Sequence, residues 1–252
     1  MSEPRILEGA EPFFFEGNEI GVLVSHGFTG STQSMRDYGK ALHAAGFTVS
    51  GPRLAGHGIS PVAMAQTTAG DWIHSLEDAF ETLSARCSKV FVTGLSMGGT
   101  LTLYMAGKYA ERISGIVTVN ATIAVGREEM GMIAFDRHAP EFVPGIGSDI
   151  KKPGVTELAY SEVPVAAIRQ IYSLVGATRG LLSRVSCPAL VIQSREDHIV
   201  EPQNGPNIVS ALAKSPSVEL QWLENSYHVA TLDNDKEFIS ARAVDFIRRN
   251  AA

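Results

Sequence analysis

Three side chains in this sequence could together make a reactive hydroxyl: Ser96, Asp197 and His228. A serine oxygen attacks a carbonyl poorly until a neighbouring base takes its proton. That base must in turn be oriented and charge-balanced by a carboxylate. Ser96 stands in Gly94-Leu95-Ser96-Met97-Gly98, with the apolar residues 90–93 leading in and a helix-forming stretch, 100–106, leading out. That is the pattern of a strand, a sharp turn and a helix, with the hydroxyl at the apex. Glycine is expected on both flanks, because the serine backbone is strained and a neighbouring Cβ would clash. A Gly-x-Ser-x-Gly match is weak alone; the strand before it and the helix after it give it weight.

On such a turn the partners are expected later in the chain, acid first and histidine second. Asp197 follows the apolar run 189–193, and His228 follows the run 218–223 in Asn225-Ser226-Tyr227-His228. Glu196 is adjacent to Asp197, but neighbouring side chains point apart. Asp136 and Asp149 fall outside the strand pattern. Attack on an ester puts negative charge on oxygen, and a preorganised backbone N–H at that spot is worth about 3 kcal/mol. Met97, after the serine and at a helix start, is the expected first donor. Phe28, in Ser25-His26-Gly27-Phe28-Thr29-Gly30, is the expected second. His26 reads as a brace for that loop and His57 as a loop-ordering hydrogen bond. His43 and His74 lie in helical stretches. His198 is expected to face solvent or pack locally, and His138 is a weak candidate for touching substrate.

The elements that must position these groups alternate along the chain. Strands are expected at 20–24, 47–50, 89–93, 113–119, 189–193 and 218–223. Helices are expected at 33–45, from Asp71 (at the cap or first turn) to about 86, from the serine turn to 109, and at 204–213 and 235–249. Alternation of this kind gives a parallel sheet covered on both faces, an α/β fold. Residues 121–184 break the rhythm, with four prolines among Met, Phe and Ile side chains. They read as an inserted cap of short helices and loops over a core of residues 1–120 and 185–252.

Composition narrows the class. The 252 residues are 44% hydrophobic and 19% charged, with a net charge of −6, as expected of a globular enzyme. No basic cluster tracks a helix face, which argues against a nucleic-acid partner. No apolar run reaches the roughly 18 residues of a membrane span. The first residues lack a basic-then-apolar signal pattern, so a cytoplasmic location is expected. Cys87 and Cys187 each precede an apolar strand and read as buried free thiols. No Cys/His set has zinc spacing. Neither a metal nor an organic cofactor is expected.

Together, residues 26–30, 52–58, 94–99, 197–202 and 225–228 resemble the α/β-hydrolases. More closely, they resemble the bacterial monoacylglycerol lipases and their carboxylesterase relatives. The resemblance covers nearly the whole chain, including Ile146-Gly147-Ser148-Asp149 and Glu157-Leu158-Ala159-Tyr160, and departs at 126–137. It implies a triad of Ser96, Asp197 and His228 with Phe28 and Met97 as oxyanion hole. It further implies that Ile146 narrows an acyl tunnel and that Glu157 binds glycerol hydroxyls. The activity implied is cleavage of monoacylglycerol, a small lipid ester, through an acyl-enzyme. The alternatives are a carboxylesterase for short soluble esters and, with the triad intact, a much weaker case for a binding protein without turnover. A partly membrane-dissolved substrate would bring the Met and Phe side chains of the cap into transient contact with a membrane surface. The sequence is silent on oligomeric state.

Overall fold

The computed structural model describes residues 5–126 and 128–251. A short strand β1 (Phe13–Phe15) precedes β2 (Ile20–Ser25), α1 (Gln33–Ala44) and β3 (Thr48–Gly51). Next come α2 (Pro61–Ala65), α3 (Ala69–Ser84), β4 (Lys89–Leu95), α4 (Met97–Lys108) and β5 (Gly115–Val119). Between β5 and β8 runs a segment outside the main sheet, referred to below as the insertion, with α5 (Glu128–Phe135), β6 (Phe142–Pro144), β7 (Glu162–Pro164) and α6 (Val165–Arg179). β8 (Ala189–Ser194), α7 (Asn204–Ala211), β9 (Val218–Leu223) and α8 (Lys236–Ala251) complete the chain.

Seven strands form one sheet in the order β1-β3-β2-β4-β5-β8-β9. Every neighbouring pair is parallel except β1 with β3. The central strands are buried on both faces, which is why β4 and β8 read as continuous apolar runs rather than alternating ones. Edge strand β9 is only half-buried over most of its length. On one face Trp72, Leu76 and Phe80 of α3 pack with Leu101 and Met105 of α4. On the other, Met35, Tyr38 and Leu42 of α1 pack with Ile239 and Phe246 of α8. The C-termini of the six mutually parallel strands open toward the edge from which the insertion arises, so groups just past β4, β5, β8 and β9 can meet there.

Two local features differ from expectation, and a third is made more specific. β1 has no place in the alternating pattern, yet Phe13-Phe14-Phe15 pairs antiparallel with β3 in the register Phe13↔Gly51. Asp71 lies in the first turn of α3, one of the two places expected for it; Thr68 is the cap, and Asp71 closes a capping box onto the Thr68 backbone. The insertion is more ordered than a set of short helices and loops. It carries an antiparallel pair, Val143↔Val163, and a 15-residue helix α6, and its own small core joins Ala134, Val163, Val165 and Ile168. Prolines 144 and 164, which suggest breaks, stand at the ends of that pair, where a missing N–H is tolerated.

Candidate active site

Ser96 is the single residue between β4 and α4, with φ 57° and ψ −121°. A non-glycine residue in that region costs about 1–3 kcal/mol and persists only where its surroundings dictate it. Here the Ser96 N–H donates to the Val119 carbonyl at 2.8 Å, and its carbonyl accepts from Thr100 N–H at 3.0 Å. The flanking glycines make the turn sterically feasible. A Cβ on Gly94 would collide with the Gly98 backbone, and one on Gly98 with the Ser25 carbonyl.

The loops after β8 and β9 bring two further groups to this turn. His228 Nε2 lies 2.8 Å from Ser96 Oγ. His228 Nδ1 lies 2.8 Å from Asp197 Oδ2. The Asp197 carboxylate is wholly buried and accepts main-chain N–H groups of Ile199 (2.9 Å) and Val200 (2.8 Å) through its other oxygen. Bonds of this kind fix the orientation of the carboxylate. With Asp197 Oδ2 accepting the Nδ1–H, Nε2 is the nitrogen left to accept from the serine hydroxyl. In this arrangement Ser96 can pass its proton to His228, with the resulting positive charge balanced by Asp197.

The loop after β2 approaches from the other side. His26 is buried; its Nδ1–H donates to the Gly27 carbonyl at 3.0 Å, and its Nε2 accepts the Leu54 N–H at 3.2 Å. Burial pushes its pKa down to about 4, so it is a neutral brace. His57 packs edge-on against it at 5.1 Å and donates through Nδ1 to the Ala55 carbonyl. Burial and the neighbouring His26 bring its pKa down to about 3. Both histidines thus order loops, as read from the sequence. Phe28 and Met97 line the same cavity as Ser96. Met97 opens α4, so its N–H has no acceptor within the helix.

Two cavities meet at Ser96. One is apolar and lined by Phe28, Met97, Met130, Ile146, Ile171 and Val200. The other is smaller and mixed, with Glu157, Asp149, Thr29 and His228 set among apolar walls that include Leu95 and Val229. Ile146 lines both. The Glu157 carboxyl lies against Gly30, where a Cβ would meet it, and bonds to Ser34. Burial raises its pKa, with Ser34 and the nearby His228 pulling the other way.

The remaining sequence candidates lie elsewhere. His74 is exposed and faces Glu77. His138 bonds to Arg137 and lines neither cavity at Ser96. Cys87 and Cys187 are free and buried, and burial pushes the Cys187 thiol up to about 12. Glu196 turns to Lys151. His198 is exposed and stacks edge-on against Tyr227, but it also bonds across the chain to Asp149, a partner too distant in sequence to be anticipated.

Sequence reasoning passed over three residues that hold the site. Asn120, with φ 47° at the end of β5, donates through Nδ2 to the carbonyls of Tyr227 (3.2 Å) and His228 (2.7 Å). It also accepts the Ser194 N–H through Oδ1. Asp233 is fully buried and accepts four main-chain N–H groups, from Lys151, Lys152, Tyr227 and Asn234. Asp149, weighed only as a rival acid, accepts the His228 main-chain N–H. An asparagine directly after a buried strand, where left-handed backbone is common, is the one signal that could have singled out Asn120.

A family model described as serine aminopeptidase, S33 (Hydrolase_4) matches residues 18–235. Over its whole length the chain is 45% identical to the full length of a thermostable monoacylglycerol lipase from Bacillus sp. (strain H-257). It is 28% identical to a carboxylesterase from Bacillus subtilis (strain 168), over 95% of this chain and 96% of that one. A solved structure from LipS and LipT, two metagenome-derived lipolytic enzymes, is 52% identical and covers 97% of this chain and 100% of its own, with a TM-score of 0.95. Likeness along the full length, with a family model running from just before β2 to the start of α8, makes this chain a member of the serine aminopeptidase, S33, family of α/β-hydrolases.

Proposed function

We propose that this chain hydrolyses monoacylglycerol to free fatty acid and glycerol, with Ser96 as nucleophile, His228 as general base and acid, and Asp197 as the group that orients and charge-balances His228. Ser96 Oγ gives its proton to His228 Nε2 and attacks the ester carbonyl. The N–H groups of Phe28 and Met97 receive the oxyanion, aided by the positive end of α4. The tetrahedral adduct collapses, His228 protonates the departing glycerol oxygen, and an acyl-Ser96 remains. Water deprotonated by His228 then attacks the acyl carbon. The acid leaves as Ser96 recovers its proton from His228.

The observation that carries the choice of substrate is the pair of cavities meeting at Ser96. A monoacylglycerol has one apolar arm and one small polyol, and the walls match that division. The acyl chain takes the side of Met130, Ile146 and Ile171, at about 0.8 kcal/mol per buried CH₂. The glycerol takes the side where Glu157 accepts its hydroxyls. The 45% identical relative bears the same activity in its name. On this reading residues 121–184 are a cap over a core of residues 1–120 and 185–252. Among the described residues no helix is long and apolar enough to cross a membrane. The exposed Met132 and Phe135 on α5 support transient contact with a lipid surface.

Turnover against mono-, di- and triacylglycerols of several chain lengths, beside simple aryl esters, tests the reading. Long-chain monoacylglycerols are expected to lead. A peak at acetyl to butyryl esters, with monoacylglycerols ignored, would overturn it in favour of a short-ester carboxylesterase, the activity named for the 28% identical relative.

A further inference from the structure

We infer that Asp149, contributed by the insertion, is a positioning residue for His228, and that residues 146–152 strap together the two loops carrying Asp197 and His228. The inference rests on the proposed roles of Ser96, His228 and Asp197.

One oxygen of Asp149 accepts the main-chain N–H of His228 at 3.1 Å and that of His198, next to Asp197, at 3.2 Å. The other accepts the His198 ring N–H at 2.8 Å. Its own carbonyl accepts the Val229 N–H at 3.1 Å. A single side chain therefore touches the backbone beside both members of the acid–histidine pair. The exchange is reciprocal, for Asp233 in the His228 loop accepts the N–H groups of Lys151 (2.7 Å) and Lys152 (2.9 Å). Lys151 reaches Glu196 on the Asp197 loop. The Asp149 side chain is largely buried and its bond to the His228 N–H is part-buried, while its bonds to His198 reach the surface.

The same segment serves the substrate side. Gly147 takes φ 77°, which turns the chain between Ile146 and Ser148. The Ser148 hydroxyl accepts the Glu157 N–H at 2.9 Å. Asp149 acts on the main chain from which the His228 ring hangs, and not on the ring itself. Below the ring, Asn120 holds the His228 carbonyl at 2.7 Å. Asn120 and Asp149 thus pin the peptide groups on either side of one α-carbon. A reacting group displaced by about 1 Å loses on the order of 10²-fold in rate.

The test uses Asp149→Ala, Asp149→Asn and a Ser96→Ala control, each with 4-nitrophenyl acetate and a long-chain monoacylglycerol, and each confirmed folded by thermal melt. Asp149→Ala is expected to lower kcat about 10- to 100-fold on both substrates with KM little changed. Asp149→Asn is expected to recover most of that loss, because its amide oxygen still accepts both N–H groups. If Asp149→Ala does not fold, Asp149→Ser replaces it, since its hydroxyl falls short of both donors. Unchanged kcat in the folded variant overturns the inference. So does a loss confined to monoacylglycerol, a rise in KM alone, or an Asn variant as poor as Ala. A Ser96→Ala enzyme that still turns over would instead overturn the underlying mechanism; an inactive Ser96→Ala beside a fully active Asp149→Ala removes the Asp149 role alone.

Discussion

The two walls around Ser96 are built differently. On the sheet wall, Ser96, Asn120, Asp197 and His228 each sit within a few residues of the end of a paired strand; β5 and β8 are buried throughout, and β4 is buried at every residue after Lys89. Moving any of them means breaking strand pairing or opening the core. On the insertion wall, Ile146, Asp149 and Glu157 come from the 17 residues between β6 and β7, a span with no helix or strand of its own. They are fixed by scattered hydrogen bonds and not by strand pairing: the Ser148 hydroxyl accepts the Glu157 N–H, Asp233 accepts the N–H groups of Lys151 and Lys152, and Asp149 accepts those of His198 and His228. The rigid wall suits groups that every ester requires. The lightly fixed wall suits groups that distinguish one ester from another. Substitutions on the sheet wall, and at Asp149, which holds the His228 main chain, should therefore act on all substrates alike, and those at Ile146 and Glu157 selectively.

The largest break in that contrast comes from the sheet wall. Ser96→Ala should reduce kcat by about 10⁶-fold for aryl esters and monoacylglycerols alike, by analogy with serine hydrolases that act through the same relay. Asp197→Asn should cost about 10⁴-fold, because the amide favours the wrong His228 tautomer. Steady-state kinetics on both substrate types read this directly. A substrate-selective loss in either variant would undo the assignment of common chemistry to the sheet.

A second effect concerns how the sheet wall is held. His26 is buried neutral with its pKa near 4, while in the unfolded chain a histidine titrates near 6.5. Between those values the unfolded chain binds a proton that the folded one refuses. Stability is therefore complete above about pH 6.5 and falls as pH drops toward 4. From about pH 7 to about pH 5, His26 alone should remove about 2 kcal/mol, and His57, with its pKa near 3, adds to the slope. Urea midpoints across that range measure it. His26→Gln should flatten the slope; an unchanged slope would place the acid sensitivity elsewhere.

On the insertion wall, Glu157→Gln should lower kcat/KM for monoacylglycerol about tenfold, the order expected for a lost charged hydrogen bond, and leave aryl acetates near wild type. Its effect on stability has the opposite sign to that of His26. Burial raises the Glu157 pKa, so the ionised carboxylate opposes folding at neutral pH, and that opposition is relieved as pH falls. Glu157→Gln should accordingly raise Tm at about pH 7 while it impairs the lipid reaction. Equal losses on both substrates would make Glu157 part of the common machinery.

The same division explains what was legible in the sequence. Ser96, Asp197 and His228 stand out because each follows an apolar strand run, and local pattern tells where a strand ends. The alternation of strands and helices, and hence a sheet covered on both faces, follows from the same periodicity. Strand β1 did not show itself, because three consecutive phenylalanines have no alternation; their place is set by pairing with β3. Nor did the β6–β7 pair, whose strands are three residues long and joined across 17 residues. The roles of Asp149 and Asp233 were hidden for a related reason. Each is defined by main-chain N–H groups about 80 positions away, and a main-chain donor carries no residue type to read.

The smallest effect sharpens the contrast from within the insertion wall. Ile146 lines both cavities and is 37% exposed, so its truncation removes little buried surface. Ile146→Ala should leave Tm nearly unchanged and leave 4-nitrophenyl acetate turnover intact. What changes is the width of the passage where the acyl chain leaves Ser96. A methylene in an apolar pocket carries about 1 kcal/mol of discrimination, so the ratio of kcat/KM between long- and short-chain monoacylglycerols should shift a few-fold. Competition between two chain lengths in one reaction measures that ratio without needing absolute rates. A constant ratio would mean that the acyl chain does not pass Ile146, and that the apolar side is set by Met130 and Ile171 alone.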